Sequence, residues 1–161
     1  MLFSLAGMFV QEKEQPCACC SAQHQQFNFW IGEWDVYNRA GEKIGENTIT
    51  ALENHCIINE NWKGLSGGSG RSYNYFDPET GSWNQLWLSA TGTILKLSGV
   101  GSDRQMILKS GKISGENGDY YNQITWTRNT DGNVTQLWEI LDTKDQLLSK
   151  AFEGIYRRKT N

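Results

Sequence analysis

The sequence lacks several features that would point to a particular class of function. Its net charge is −3, so no basic excess favours nucleic acid or an anionic membrane surface as a partner. No apolar stretch after Leu2–Val10 is long enough to span a bilayer. The glycine-rich stretch Gly64–Gly70 has no Gly-Lys-Ser/Thr for cradling phosphate, and no Ser-His-Asp or Cys-His set is recognisable from spacing. These absences leave three classes open: a protein that binds a small molecule, an enzyme without a recognisable catalytic set, and a structural or interaction protein.

The chain is instead rich in aromatic residues and turn signals. It has 7 tryptophans and 17 glycines but only 2 prolines among 161 residues, a composition that favours short strands joined by tight turns. Alternation is clear in 82–89, where Trp83, Gln85 and Trp87 share one face. About ten strands are predicted along the whole chain, at intervals of roughly 8–12 residues, and no long amphipathic helix pattern lies between them. Because closure removes exposed sheet edges, the sequence predicts an all-β, antiparallel up-and-down barrel.

Residues 1–25 precede the predicted barrel domain, which covers residues 26–161. Leu2–Val10 is typical of the tail of a secretory signal, which predicts an exported protein, periplasmic or secreted; the alternative is a cytoplasmic one. Three interpretations compete for Cys17, Cys19 and Cys20: a disulfide, a soft-metal site completed by His24, or a tail without a role. Since vicinal cysteines pair only with strain, any bridge is expected to join one of the three to Cys56, which we expect to be buried.

One stretch, Gln26–Tyr37, combines a short aromatic turn, expected to close one end of the barrel, with the start of the first strand. Its Gly32-Glu33-Trp34 resembles the Gly-x-Trp signature of the calycin, or lipocalin-like, superfamily. The wider pattern, Phe27–Val36, Cys56–Trp62, Tyr75–Pro78 and Gly81–Trp87, resembles a bacterial family of unknown activity within that group. The resemblance implies a barrel with a central cavity and no catalytic residues. It also implies a basic side chain from the last strand, Arg157 or Arg158, against Trp34.

The side chains of a small barrel alternate between lumen and exterior. With Trp34 facing inward, as in calycins, alternation predicts an inner face of indoles, amides and one carboxylate: Glu60, Trp62, Tyr73, Gln85, Trp87, Asn122, Trp126, Gln136 and Trp138. The leucines of the same strands, such as Leu86 and Leu137, are then expected to face outward. Such a lining predicts a site for a small apolar or amphipathic molecule, held without chemistry and without a cofactor; sugars would suit it too.

Other functions remain open at this stage. The indoles can fill the barrel solid, which would leave no site. Glu60 can act as a general acid or base if an apolar wall raises its pKa, or it can simply pair with Arg71 or Arg128. A haem-binding barrel would need a histidine in the lumen, and the chain has only His24 and His55. The sequence does not predict an oligomeric state.

Overall fold

The computed structural model describes residues 17–160, and its framework is a single large sheet. The strands are β1 (Gly32–Tyr37), β2 (Lys43–Leu52), β3 (Ile57–Gly64), β4 (Ser69–Asp77), β5 (Ser82–Ser89), β6 (Ile94–Gly101), β7 (Gln105–Ser110), β8 (Ile113–Gly115), β9 (Gly118–Arg128), β10 (Val134–Asp142) and β11 (Leu147–Arg158). Before them come a short helix, α1 (Ala22–Gln25), and a 3₁₀ turn, Asn28–Trp30.

The sheet is antiparallel throughout and closes on itself. Its strand order is β10-β11-β1-β2-β3-β4-β5-β6-β7-β9, and pairing of β9 with β10 completes the ring. The short strand β8 pairs only with β9, outside that ring. The structure therefore confirms the predicted all-β barrel, with ten strands in the closure and one extra strand. Closure leaves no edge among these ten strands for pairing with another chain.

One end of the barrel, here called the closed end, is filled by aromatic side chains from the segment before β1. Phe27 stacks on Trp30 with ring centroids 4.9 Å apart, and both are fully buried. Trp83 and Trp126 make edge-to-face contacts with Phe27, and their ring centroids lie 5.7 and 5.2 Å from that of Phe27. Such edge-to-face contacts add to the burial of apolar area. The predicted helical turn thus closes one end, and no helix of residues 17–160 covers the other, the open end.

An arginine from the last strand, β11, joins it to the first strand, β1, next to this core. Arg158 lies directly opposite Trp34 in the pairing of β11 with β1. Its guanidinium sits 4.1 Å from the centroid of the buried indole and donates a 2.8 Å hydrogen bond to the carbonyl of Ile31. The indole itself donates to the carbonyl of Trp30 at 2.8 Å. Of the two arginines proposed for this role, Arg158 fills it, while Arg157 stacks on Tyr37.

The cysteines form two disulfides, Cys17–Cys20 and Cys19–Cys56. The expected bridge to Cys56 is confirmed, and it holds Cys19 beside the turn between β2 and β3. The bridge between Cys17 and Cys20 was not predicted. The metal interpretation of Cys17, Cys19, Cys20 and His24 is wrong for this structure, because metals bind thiolates and no cysteine is free. Cys56 was also expected to be buried within a strand; it is half-exposed and precedes β3.

Two other expectations concern the amino-terminal part of the chain. Leu2–Val10, expected to be the tail of a secretory signal, lies outside the described residues, and the domain boundary after residue 25 stays a prediction. Among residues 17–160, no helix has the length and apolar character needed to cross a membrane.

Candidate functional site

A cavity of about 180 Å³ lies inside the barrel, between the aromatic core of the closed end and the open end. Three indoles from different strands form part of its wall: Trp62 of β3, Trp87 of β5 and Trp138 of β10. Apolar side chains complete it: Leu95, Ile124, Ala151 and Phe152. Leu86 and Leu137 do not line this cavity, as alternation predicted. The packing-only alternative therefore holds for the closed end and fails for the other half of the barrel.

Glycines on neighbouring strands make room for two of these indoles. Gly45 of β2 pairs with Gly64, two residues after Trp62, and Gly70 of β4 pairs with Ser89, two residues after Trp87. A Cβ added to either glycine would collide with the indole ring of that tryptophan. Part of each ring therefore lies beside a strand position that has no side chain. Trp62 also meets Phe152 edge-on, with centroids 5.8 Å apart.

The third indole is held by a hydrogen bond. Asn122 of β9 lies on the inner face, 5% exposed, and its Oδ1 accepts a 2.8 Å hydrogen bond from Nε1 of Trp138. The backbone N–H of Asn122 donates to Ser110 Oγ at 2.9 Å. Asn122 was predicted to contact ligand; it does not line the cavity and instead orients a residue that does.

A buried carboxyl group forms the centre of the polar side of the cavity. Glu60 of β3 is 4% exposed and lines the cavity. Asn47 Nδ2 donates to its Oε1 at 2.7 Å, and Ser72 Oγ donates to its Oε2 at 2.7 Å. A carboxylate can accept about four hydrogen bonds, so these two leave lone pairs for a ligand.

Two glutamines flank the carboxyl group and each presents one unpaired amide atom. Gln85 donates through Nε2 to Asn74 Oδ1 at 2.8 Å and to Ser72 Oγ at 3.4 Å, which leaves its Oε1 without a partner among residues 17–160. Gln136 accepts through Oε1 from the hydroxyl of Tyr156, which leaves its Nε2 without a partner in the same part of the chain. The cavity thus offers one amide acceptor and one amide donor.

Burial raises the pKa of Glu60 to about 7, although its hydrogen bonds from Ser72 and Asn47 act in the opposite direction. No ion pair of residues 17–160 includes this carboxyl group. In particular, Arg71 and Arg128, considered as partners from the sequence, do not pair with it. Burial also raises the pKa of Tyr156 well above 10, and the nearby Glu60 adds to that effect. Near neutral pH, Glu60 therefore exchanges between its neutral and charged forms.

No protein-family model and no curated protein matches the chain. The calycin resemblance of Gly32–Trp34 therefore stays a proposal, and the geometry of the cavity carries the functional interpretation.

Besides Asn122, two other residues predicted for the lining lie elsewhere. Trp126 faces inward but is fully buried in the closed-end core, 5.3 Å from Trp30 between ring centroids. Tyr73 faces outward and is 40% exposed, because it pairs with outward-facing Leu86 in the register of β4 and β5. The remaining predicted residues do line the cavity: Glu60, Trp62, Gln85, Trp87, Gln136 and Trp138.

Sequence reasoning missed the residues that hold the carboxyl group, Asn47 and Ser72, together with Asn74, Phe152 and Tyr156. In β4 the small polar residues occupy the inner face and the tyrosines the outer one. A preference for aromatic residues inside therefore selects the wrong face of that strand. The pairing register of the strands would have identified two of the missed residues. Ser72 lies opposite Glu60, and Asn47 lies opposite Trp62.

Neither histidine reaches the cavity. His24 lies in α1 at the closed end, where Nδ1 bonds Ser21 Oγ at 2.8 Å and the ring meets Phe76 edge-on. His55 lies exposed in the turn before β3, with a positive φ of 68°. The lumen histidine required by the haem alternative is therefore missing from the cavity lining, and no cluster of metal-ligating side chains occurs among residues 17–160.

Proposed function

We propose that the protein binds a small apolar or amphipathic molecule in the barrel cavity, without chemistry. The observation that carries this proposal is the combination of three indoles with an unpaired amide acceptor and an unpaired amide donor in one cavity. Apolar area supplies affinity in such sites, and a few polar groups fix orientation. A barrel that needed only a packed core would have no reason to place these polar atoms against an unfilled space.

The size of the cavity limits the ligand. Apolar cavities of about 150 Å³ hold one benzene molecule. A cavity of about 180 Å³ therefore suits one ring or a compact branched group of similar volume. A larger molecule would leave its remainder at the open end, beside the loop of residues 65–68.

The family assignment and the cellular location are part of the same proposal. Contact of Arg158 with the indole of Trp34 supports membership of the calycin superfamily, since the resemblance implies this contact between the first and last strands. The two disulfides support an exported protein, periplasmic or secreted, because disulfides persist in oxidising compartments.

A second candidate function is an enzyme that uses Glu60 as general acid or base. The pKa of about 7 favours it, because a proton-transfer group works best when its pKa is close to the working pH. The rest of the lining supplies no nucleophile of recognised type beside this carboxyl group. Incubation of a bound ligand would separate the two functions: an unchanged mass supports binding, whereas a product formed by the protein and lost in Glu60→Gln supports catalysis.

Native mass spectrometry of protein purified from the organism that encodes it tests binding. We expect an added mass that matches a ring-sized molecule and that disappears under denaturing conditions. The test variant is Gly70→Ala, in which the added methyl group displaces the indole of Trp87. Its matched control is Gly68→Ala, in which the methyl group meets nothing within 4 Å. Ligand should be lost from the first and kept by the second. An added mass retained equally by both variants would place the ligand outside the cavity.

A further inference from the structure

One acidic group that ionises near neutral pH lines the cavity. Its lining contains one carboxyl group, Glu60, and one phenol, Tyr156, and no lysine, arginine or histidine of residues 17–160 is among its lining residues. Three indoles, Trp62, Trp87 and Trp138, line the same space. Indole faces attract cations, and sets of aromatic rings are used to hold quaternary ammonium groups.

Hydrogen-bond acceptors without a donor are also present at this site. Glu60 retains free lone pairs, and Gln85 Oε1 has no donor among residues 17–160. Donors without an acceptor in residues 17–160 also belong to lining residues: Gln136 Nε2 and the indole N–H groups of Trp62 and Trp87. The carboxyl group of Glu60 has no cation as partner in the same part of the chain. A ligand that brings positive charge would supply that partner.

We propose that the ligand of this cavity is a small organic cation, whose ammonium group lies among the three indoles and is neutralised by the carboxylate of Glu60. This inference rests on the proposed function and adds the charge of the ligand to it.

Among residues 17–160, no cation lies close enough to Glu60 to neutralise its charge. Asn47 faces it from β2, Ser72 from β4 and Tyr156 from β11, and only the tyrosine among them titrates. The cation on the inner register of β11, Arg158, lies at the closed end over an indole. Burial without a countercharge explains why the pKa of Glu60 is near 7. A bound cation would supply the missing charge and favour the ionised form.

Choline and its neutral carbon analogue, 3,3-dimethylbutan-1-ol, provide a matched pair of probes. The two differ in charge but have the same number of non-hydrogen atoms and nearly the same shape. Calorimetric titration at pH 5.5 and pH 8.5 should show choline binding more tightly at the higher pH. With a pKa near 7, about 3% of Glu60 is ionised at pH 5.5 and about 97% at pH 8.5. If only the ionised form binds the cation, its affinity should rise about 30-fold, whereas that of the alcohol should change little.

Two variants assign the effect to its residue. Glu60→Gln should remove the pH dependence and reduce choline affinity to the value at pH 5.5. Glu79→Gln makes the same change of charge in an exposed turn after β4 and should bind as the unmodified protein does. The comparison of the two probes in unmodified protein remains decisive if Glu60→Gln does not fold.

The outcomes separate the charge of the ligand from binding itself. Tighter binding of the alcohol than of choline at pH 8.5 would overturn the cation inference and support a neutral ligand. Choline affinity that does not change between pH 5.5 and 8.5 would remove the role of Glu60 and also overturn it. Absence of binding by both probes at millimolar concentration would contradict the proposed function for molecules of this size as well.

Discussion

Replacement of Glu60 by glutamine should change how the stability of the protein depends on pH. The carboxyl group is buried and its pKa is raised from its ordinary value of 4.5 to about 7. Between these two values the folded protein binds the proton more tightly than the unfolded chain does. The contribution of Glu60 to the free energy of unfolding is therefore greatest below pH 4.5, decreases as the pH rises, and is lost above pH 7.

The magnitude follows from the two pKa values. The interval from 4.5 to 7 corresponds to a loss of about 3 kcal/mol in the free energy of unfolding, at 1.36 kcal/mol per pH unit. About 2.5 kcal/mol of that loss falls between pH 5 and pH 8. Glutamine has no charge at either pH, so Glu60→Gln should not show it. The variant loses one hydrogen bond, from Asn47 or from Ser72, at a cost of about 1 kcal/mol that is the same at both pH values.

Urea denaturation followed by tryptophan fluorescence, with the disulfides intact, measures this difference. The free energy of unfolding of Glu60→Gln, minus that of the unmodified protein, should increase by about 2.5 kcal/mol from pH 5 to pH 8. The matched surface variant Glu79→Gln should show no comparable increase, because its side chain is exposed. A difference for Glu60→Gln that is constant across this range would refute the view that burial raises the pKa of this group.

Three further variants test other parts of the structure. Arg158→Ala should lower the free energy of unfolding by about 1–2 kcal/mol, because its guanidinium stacks on a buried indole; an unchanged midpoint in urea would remove its role in closure. Gly70→Ala should shift the fluorescence spectrum by moving a cavity indole, whereas Gly68→Ala should not; identical spectra would contradict the described packing. Joint replacement of Cys19 and Cys56 by serine opens a 37-residue loop and should cost about 3–4 kcal/mol in the same urea assay, with a loss below 1 kcal/mol arguing against this bridge.

Alternation along the strands predicted much of the fold and half of the site. In β5, where Gln85 and Trp87 share one face, the sequence alone places both side chains in the lumen, and the structure agrees. In β4 the tyrosines lie on one face and Ser72 and Asn74 on the other, so a preference for aromatic residues inside selects Tyr73 instead of Ser72. Small polar side chains face inward there because the buried carboxyl group of Glu60 lies opposite Ser72 on the preceding strand, β3. That position depends on the pairing register of the two strands.

Depth within the barrel was the other property that alternation could not supply. Trp126 and Trp138 both face inward, but the first lies in the closed-end core and the second in the cavity wall. The period of a strand fixes the face of a side chain, whereas its height along the barrel axis depends on strand tilt and on the stagger between strands. For the same reason the sequence could not tell how much of the barrel is filled.

The most direct test of the central claim uses the seven tryptophans of the chain as reporters. The indole N–H groups give separate signals in a ¹H–¹⁵N nuclear magnetic resonance spectrum, which can be followed while benzyl alcohol, 3,3-dimethylbutan-1-ol or choline is added. Binding in the cavity predicts shifts for the three indoles that line it: Trp62, Trp87 and Trp138. The signals of the four indoles buried at the closed end should not shift: Trp30, Trp34, Trp83 and Trp126. Signals from the cavity indoles that do not move with any of the three probes would contradict the proposed function.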